Sequence, residues 1–156
     1  MAEYSANAVQ VVNPGESIVF TEAPVPCNRG LVRHRDDSGN FLLSGAAPYN
    51  YNRCRCCQSN SVNYLVDFGA NIAVAEGGTV EPISVAIAVD GATIPTSTMT
   101  VTPAAVGDFF NVSRAINVEI WKNCCETVTV RNISTQPIQV QNANILFSRN
   151  DLYYSR

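Results

Sequence analysis

The chain has 156 residues, enough for one domain of ordinary size, and is 46% hydrophobic but only 15% charged. That balance suits a packed core with neutral polar loops and excludes a disordered tail. Net charge is -3, lysine occurs once, at Lys122, and the only basic clusters are RHR (33–35) and RCR (53–55), so the basic face that nucleic acid demands is missing.

The opening MAEYSANAVQVV carries an acid at position 3 and lacks both a basic start and an apolar run. It reads as an N-terminal arm or first strand over 1–12, not as a signal peptide, so synthesis in the cytoplasm without secretion is expected. No run is long enough to span a bilayer, and no membrane partner is expected.

Strand signals then follow one another to the end of the chain. Strands are predicted at 8–12, 17–22, 30–35, 40–44, 61–69 and 71–75, then at 83–90, 97–102, 109–120, 125–132 and 137–148. In ISVAIAVD, Ile83, Val85, Ile87 and Val89 share one face, and Ser84, Ala86 and Ala88 share the other, the period of a half-buried strand. FFNVSRAINVEI sets Phe110, Val112, Ile116, Val118 and Ile120 on one side, and Arg114 interrupts the stripe. Either that arginine reaches a partner or the strand shifts there. ETVTVRN alternates Val128 and Val130 against Thr127 and Thr129. In PIQVQNANILF the apolar parity changes between Val140 and Ala143, which calls for a bulge near Gln141-Asn142.

Turn residues separate these runs at NPGE (13–16), DDSGN (36–40), EGGT (76–79), DGAT (90–93) and STQP (134–137). The stretch 45–60 is the one long irregular connection. So many short strands in one domain pack as an all-β, antiparallel jelly-roll β-sandwich, here over 13–149, with 150–156 as a C-terminal extension. Such a sandwich has edges, and trimerisation is a common way to cover them.

Six cysteines stand at Cys27, Cys54, Cys56, Cys57, Cys124 and Cys125. Neither RCRCC nor NCC has the two-to-four-residue ligand spacing usual for zinc. The C-x-x-C at 54–57 lies in a loop without the strand–helix setting of a redox motif. Adjacent cysteines in extended chain face opposite ways, so Cys56-Cys57 and Cys124-Cys125 each address two environments. Disulfides within or between subunits lead, ahead of free thiols and a metal site, and fifteen pairings are open.

No catalytic or cofactor-binding set emerges. His34, the only imidazole, lies in LVRHRDD, where Asp36 or Asp37 could orient it, but no nucleophile motif accompanies it and a surface histidine is the plainer reading. EGGT lacks the helix of a phosphate loop, and no calcium loop is present. The sequons NVS (111–113) and NIS (132–134) read as chance matches. The chain is therefore expected to be no enzyme and to need neither cofactor nor metal.

From Tyr64 to Arg149 the pieces YLVDFGANIAV, ISVAIAVDGATIPTSTMTVTP, NVEIWKNCCETVTVRN and IQVQNANILFSR resemble the globular head of complement and tumour-necrosis-factor-like proteins. Bacterial and phage heads that tip collagen-like fibres are the nearest in pattern. The opening YSANAVQVVNPGESIVFTEAPVPCNRGLVRHRDDSGNFLLSG resembles small proteins of gut Clostridia-type bacteria and their phages, where it would supply the first strands of the same jelly roll. The resemblance implies a compact homotrimer with apolar and aromatic side chains along its threefold axis, and a structural or binding role. This chain carries no Gly-X-Y stalk. A non-enzymatic virion decoration or fibre-head component is therefore expected, made in a bacterial cytoplasm and partnered by itself and by capsid or other assembly proteins. The alternatives are a disulfide-cross-linked subunit of a bacterial surface or spore appendage filament, and a carbohydrate- or receptor-binding module whose partner is a glycan.

Overall fold

The computed structural model describes residues 1–27, 30–46 and 61–150. Their strands are β1 Ala2–Ala6, β2 Gln10–Val12, β3 Glu22–Val25, β4 Val32–His34, β5 Phe41–Ser44 and β6 Ser61–Val74, followed by β7 Ile83–Val89, β8 Ala92–Thr93, β9 Met99–Val101, β10 Phe110–Trp121, β11 Cys125–Asn132 and β12 Ile138–Arg149. Every pairing is antiparallel. One sheet runs β10-β6-β12-β1-β3, with β2 also on β12. The other runs β4-β5-β11-β7-β8, with β9 also on β7. A 3-10 turn lies at Pro95–Ser97.

The core lies between the sheets and takes one parity from each strand. Val62, Tyr64, Val66, Phe68, Ala70 and Ile72 of β6 face Val85, Ile87, Val128 and Val130 of the second sheet, all buried. Aromatic rings lock the layers at one end. Phe41 of β5 lies 4.9 Å from Phe147 of β12, 5.0 Å from Tyr4 of β1 and 5.2 Å from Phe20, measured between ring centroids. Offset and edge contacts of this kind add to the area each ring removes from water.

Several strand expectations are corrected. Within the stretch 1–12, read as an arm or first strand with its run at 8–12, the first strand is Ala2–Ala6; it pairs with β12 from Ala2↔Phe147 to Ala6↔Ala143. The run at 17–22 is core but not ladder: Ile18 and Phe20 are fully buried, yet only isolated bridges at Ser17 and Phe20 form. The strand begins instead at Glu22 and includes Pro24, which an edge position tolerates. The predicted break at residue 70 is absent, and 61–74 is one strand, since Gly69 and Ala70 keep their places in the β10 ladder. The strand expected from 97 begins at Met99, because Pro95–Ser97 turns first.

The bulge in β12 is where the parity change requires it. Register shifts between Gln141 and Asn144, and Asn142 adopts φ 51, which asparagine tolerates better than most residues. The outer face of β7 is more buried than its alternation implies. Ala86 and Ala88 have no exposure, and Arg131, opposite Ala86, reaches across to the Gly15 and Gly91 carbonyls at 3.1 and 3.0 Å. Thr129, opposite Ala88, is 7% exposed, and its Oγ1 has no hydrogen-bond partner among the described residues. A buried hydroxyl without a partner keeps its desolvation cost, so Thr129→Val is expected to raise unfolding stability by about 1 kcal/mol, measured by urea denaturation.

Candidate functional site

Four of the sheet ends are short. β3 has four residues, β4 three, β8 two and β9 three, and β3 carries Glu22 and Pro24 as further guards against pairing. β10 is different. Among the described residues it ends its sheet with twelve residues, pairs only with β6, and holds an unbroken register from Phe110↔Ile72 to Trp121↔Ser61.

The side chains of β10 divide by parity. Val112, Val118 and Ile120 are buried, Ile116 is partly buried, and Phe110 on the same side is 40% exposed. Phe109 and Val106 beside it are 38% and 40% exposed. The strand does not shift at Arg114, so the guanidinium stays on the apolar side, exposed, with no hydrogen bond or ion pair among the described residues. Of the two ways to accommodate Arg114 considered above, a shift of the strand is therefore ruled out.

The outward face of the same sheet is mostly polar and carries acids. One cross-strand row reads Ala115, Asp67, Leu146, Glu3, and its neighbours read Asn117, Leu65, Ser148 and Ser113, Gly69, Asn144, Ser5. No lysine, arginine or histidine lies on it. Glu3 accepts a hydrogen bond from Asn144, and Glu119 accepts one from Ser61. Asp67 is exposed and has no such partner among the described residues. Asp67 was not singled out from sequence, although the polar alternation Asn63, Asp67, Asn71 was there to read.

At one end of β10 a tight turn displays the thiols. Asn123 adopts φ 64, the Cys124 amide donates to the Trp121 carbonyl at 3.0 Å, and the Gly45 amide donates to the Cys124 carbonyl at 2.8 Å. Gly45 is required there, because a Cβ would come within 2.1 Å of the Trp121 carbonyl oxygen. Cys124 and Cys125 are exposed beside Trp121, itself 61% exposed, and Cys27 is partly buried against the core. Cys124 and Cys125 are free thiols; Cys54, Cys56 and Cys57 lie outside the described residues. Ala46 and Ser61, which flank that segment, both sit beside the thiol-bearing turn.

His34 is a packing residue. Its ring stacks on Phe41 at 4.6 Å, and Nε2 donates to the Ser38 carbonyl at 3.0 Å, which places the proton on that nitrogen. Asn132, in the second sequon, is fully buried and donates to the Val12 and Gln136 carbonyls, so its amide is not presented for glycosylation. Among the described residues no three acidic, cysteine or histidine side chains gather into a metal site. An open depression lined by Gly15, Thr93, Arg131 and Ile133 is shallow and holds no acid–base pair.

No protein-family model and no curated protein matches the chain. Solved structures do. The globular domain of zebrafish complement 1qA superposes with a TM-score of 0.50 at 11% identity, over 96% of this chain and 98% of that one. The Eiger tumour necrosis factor of S. frugiperda superposes with a TM-score of 0.58 at 11% identity, over 94% and 90%. The likeness establishes the fold: an antiparallel jelly-roll sandwich of the complement-head and tumour-necrosis-factor kind.

Near the thiol-bearing turn, burial and the adjacent Asp90 carboxylate raise the pKa of Glu126 above the usual value. A raised folded-state value means that the fold favours the protonated acid. That contribution is complete below the unfolded pKa and is lost as pH rises through the folded one. Glu126→Gln is expected to raise Tm at pH 7 and to leave it unchanged near pH 3, by thermal unfolding at both.

Proposed function

We propose that this chain is a non-enzymatic structural protein that works by assembling with copies of itself, as a trimeric decoration or fibre-head component of a phage virion. One observation carries the reading: among the described residues every other sheet edge is short or guarded, while β10 offers twelve residues that begin at exposed Phe110 and follow exposed Phe109. The fold supports it, since the resemblance implies a trimer. No arrangement of nucleophile, base and orienting acid stands against it among the described residues.

The exposed Cys124 and Cys125 favour a second reading, in which disulfides formed after release join subunits in a bacterial surface or spore appendage filament. Oxidation outside the reducing cytoplasm is consistent with either assembly.

Sedimentation velocity at micromolar concentration is expected to return a trimer, and a monomer would overturn the self-assembly reading. Antibody against the chain is expected to label intact phage particles. Labelling of spore appendages, with a ladder of multimers on non-reducing gels that collapses under reductant, would replace the virion reading with the filament one.

A further inference from the structure

We infer that the depression on the outward face of the second sheet binds a carboxylate-bearing sugar, with Arg131 as the group that holds its carboxylate. The site goes beyond the self-assembly proposed above and does not depend on it, since β10 ends the other sheet.

The depression is lined by Gly15, Thr93, Arg131, Asn132, Ile133 and Ser134 and has a volume of about 210 Å³. Arg131 lies between Val130 and Asn132, both buried, so alternation turns its side chain away from the core. Two turns hold it there. Nε donates to the Gly15 carbonyl at 3.1 Å, and Nη1 donates to the Gly91 carbonyl at 3.0 Å. Gly15 and Gly91 adopt φ 80 and 83, so each anchoring turn needs its glycine.

Those bonds use two of the five guanidinium N–H groups and leave three, two of them on Nη2. The acids in the adjoining segments are engaged elsewhere. Glu16 accepts from Asn13, Asp90 from the Thr127 amide and Glu81 from Thr135. The cation therefore has backbone partners but no carboxylate among the described residues. A guanidinium fixed in this way has already lost its rotamer freedom, and its open edge fits the two oxygens of a carboxylate.

The rest of the lining selects among anions. The amides of Gly15, Asn132, Ile133 and Ser134 all donate within the fold, to the Asn132, Glu16 and Ser84 carbonyls and to Asn132 Oδ1. Phosphate and a peptide C-terminus, both of which are captured by nests of open amides, find none here. What the depression does offer is the exposed Thr93 hydroxyl, which makes no hydrogen bond among the described residues, and the exposed Ile133 side chain. A uronic or sialic acid brings to these a hydroxyl and an apolar C–H face beside its carboxylate. Pockets for drug-sized ligands begin at about 300 Å³, so this smaller one takes a single sugar ring.

Titration of the isotope-labelled full chain, followed by amide nuclear magnetic resonance, tests the site with glucuronate, glucose, acetate and inorganic phosphate. Glucuronate is expected to shift the amides of Gly15, Thr93 and residues 131–134 saturably. Each of the other probes is expected to need a concentration at least about tenfold higher. Glucose or acetate acting as strongly as glucuronate would overturn the joint recognition of ring and carboxylate, and phosphate acting as strongly would leave only a general anion site. Arg131→Lys, which loses the planar fork, is expected to weaken glucuronate by at least about tenfold. Because Arg131 also ties two turns, Thr93→Asp provides the second variant: it sets a carboxylate in the depression and leaves both carbonyl bonds in place. It is expected to abolish the shifts while near-ultraviolet circular dichroism stays unchanged. Shifts that survive in Thr93→Asp, shifts that fall on β10 instead, or no saturable shift with glucuronate would overturn the site. The shifts are expected whether the chain sediments as monomer or trimer, so failure of the assembly reading and failure of this one are read separately.

Discussion

Everything in this molecule depends on the register of β6. It is hydrogen-bonded along both sides, to β10 from Ser61 to Ile72 and to β12 from Tyr64 to Val74. A slip of one residue would exchange its faces, sending Tyr64, Val66, Phe68 and Ile72 into solvent and Asp67 into the core. Burial of those four side chains, each worth about 1.5–3 kcal/mol, therefore holds the register against any slip. The same register decides that Asp67 faces out and that Arg114 stays on the apolar side of β10.

Two local devices let β12 serve that central strand along its whole length. The bulge at Gln141–Asn144 changes which parity enters the core, so that Ile138 and Val140 before it and Ala143, Ile145 and Phe147 after it are all buried. At the far end Arg149, only 3% exposed, donates to the Ala46 carbonyl at 2.7 Å and lies over the Tyr64 ring at 5.9 Å. Tyr64 donates to the Ser44 carbonyl at 2.8 Å. A buried cation satisfied in this way ties the end of β5 to the first sheet. The thiol-bearing turn is thereby presented on a rigid base.

The two-sheet fold was legible where apolar side chains alternate, as in β7, β10, β11 and β12, and the parity change even located the bulge. It was not legible where the ladder depends on distant partners. Ala2–Ala6 buries two alanines and a tyrosine, a weak signal alone, and becomes a strand through β12 more than a hundred residues away. Ile18 and Phe20 carry a strand-like pattern but fill the core from an irregular segment. The break expected between 69 and 71 does not occur, and the strand passes straight through. Of the candidate surface, Arg114 announced itself by breaking an apolar stripe. Asp67 did not, because an acid on the polar parity of a strand is unremarkable until both ladders are known. The cysteine spacing suggested two environments for Cys124 and Cys125 and did not disclose that both are exposed.

An open twelve-residue edge has a cost in solution, since it invites pairing with any strand, and a chain with guarded edges elsewhere has reason to cover it. Amide hydrogen exchange measured at low and high protein concentration tests that claim most directly. Protection across Phe110–Trp121 is expected to rise with concentration, while Glu22–Val25 exchanges alike at both. Protection that is independent of concentration along β10, or that rises at β3 instead, would contradict the account.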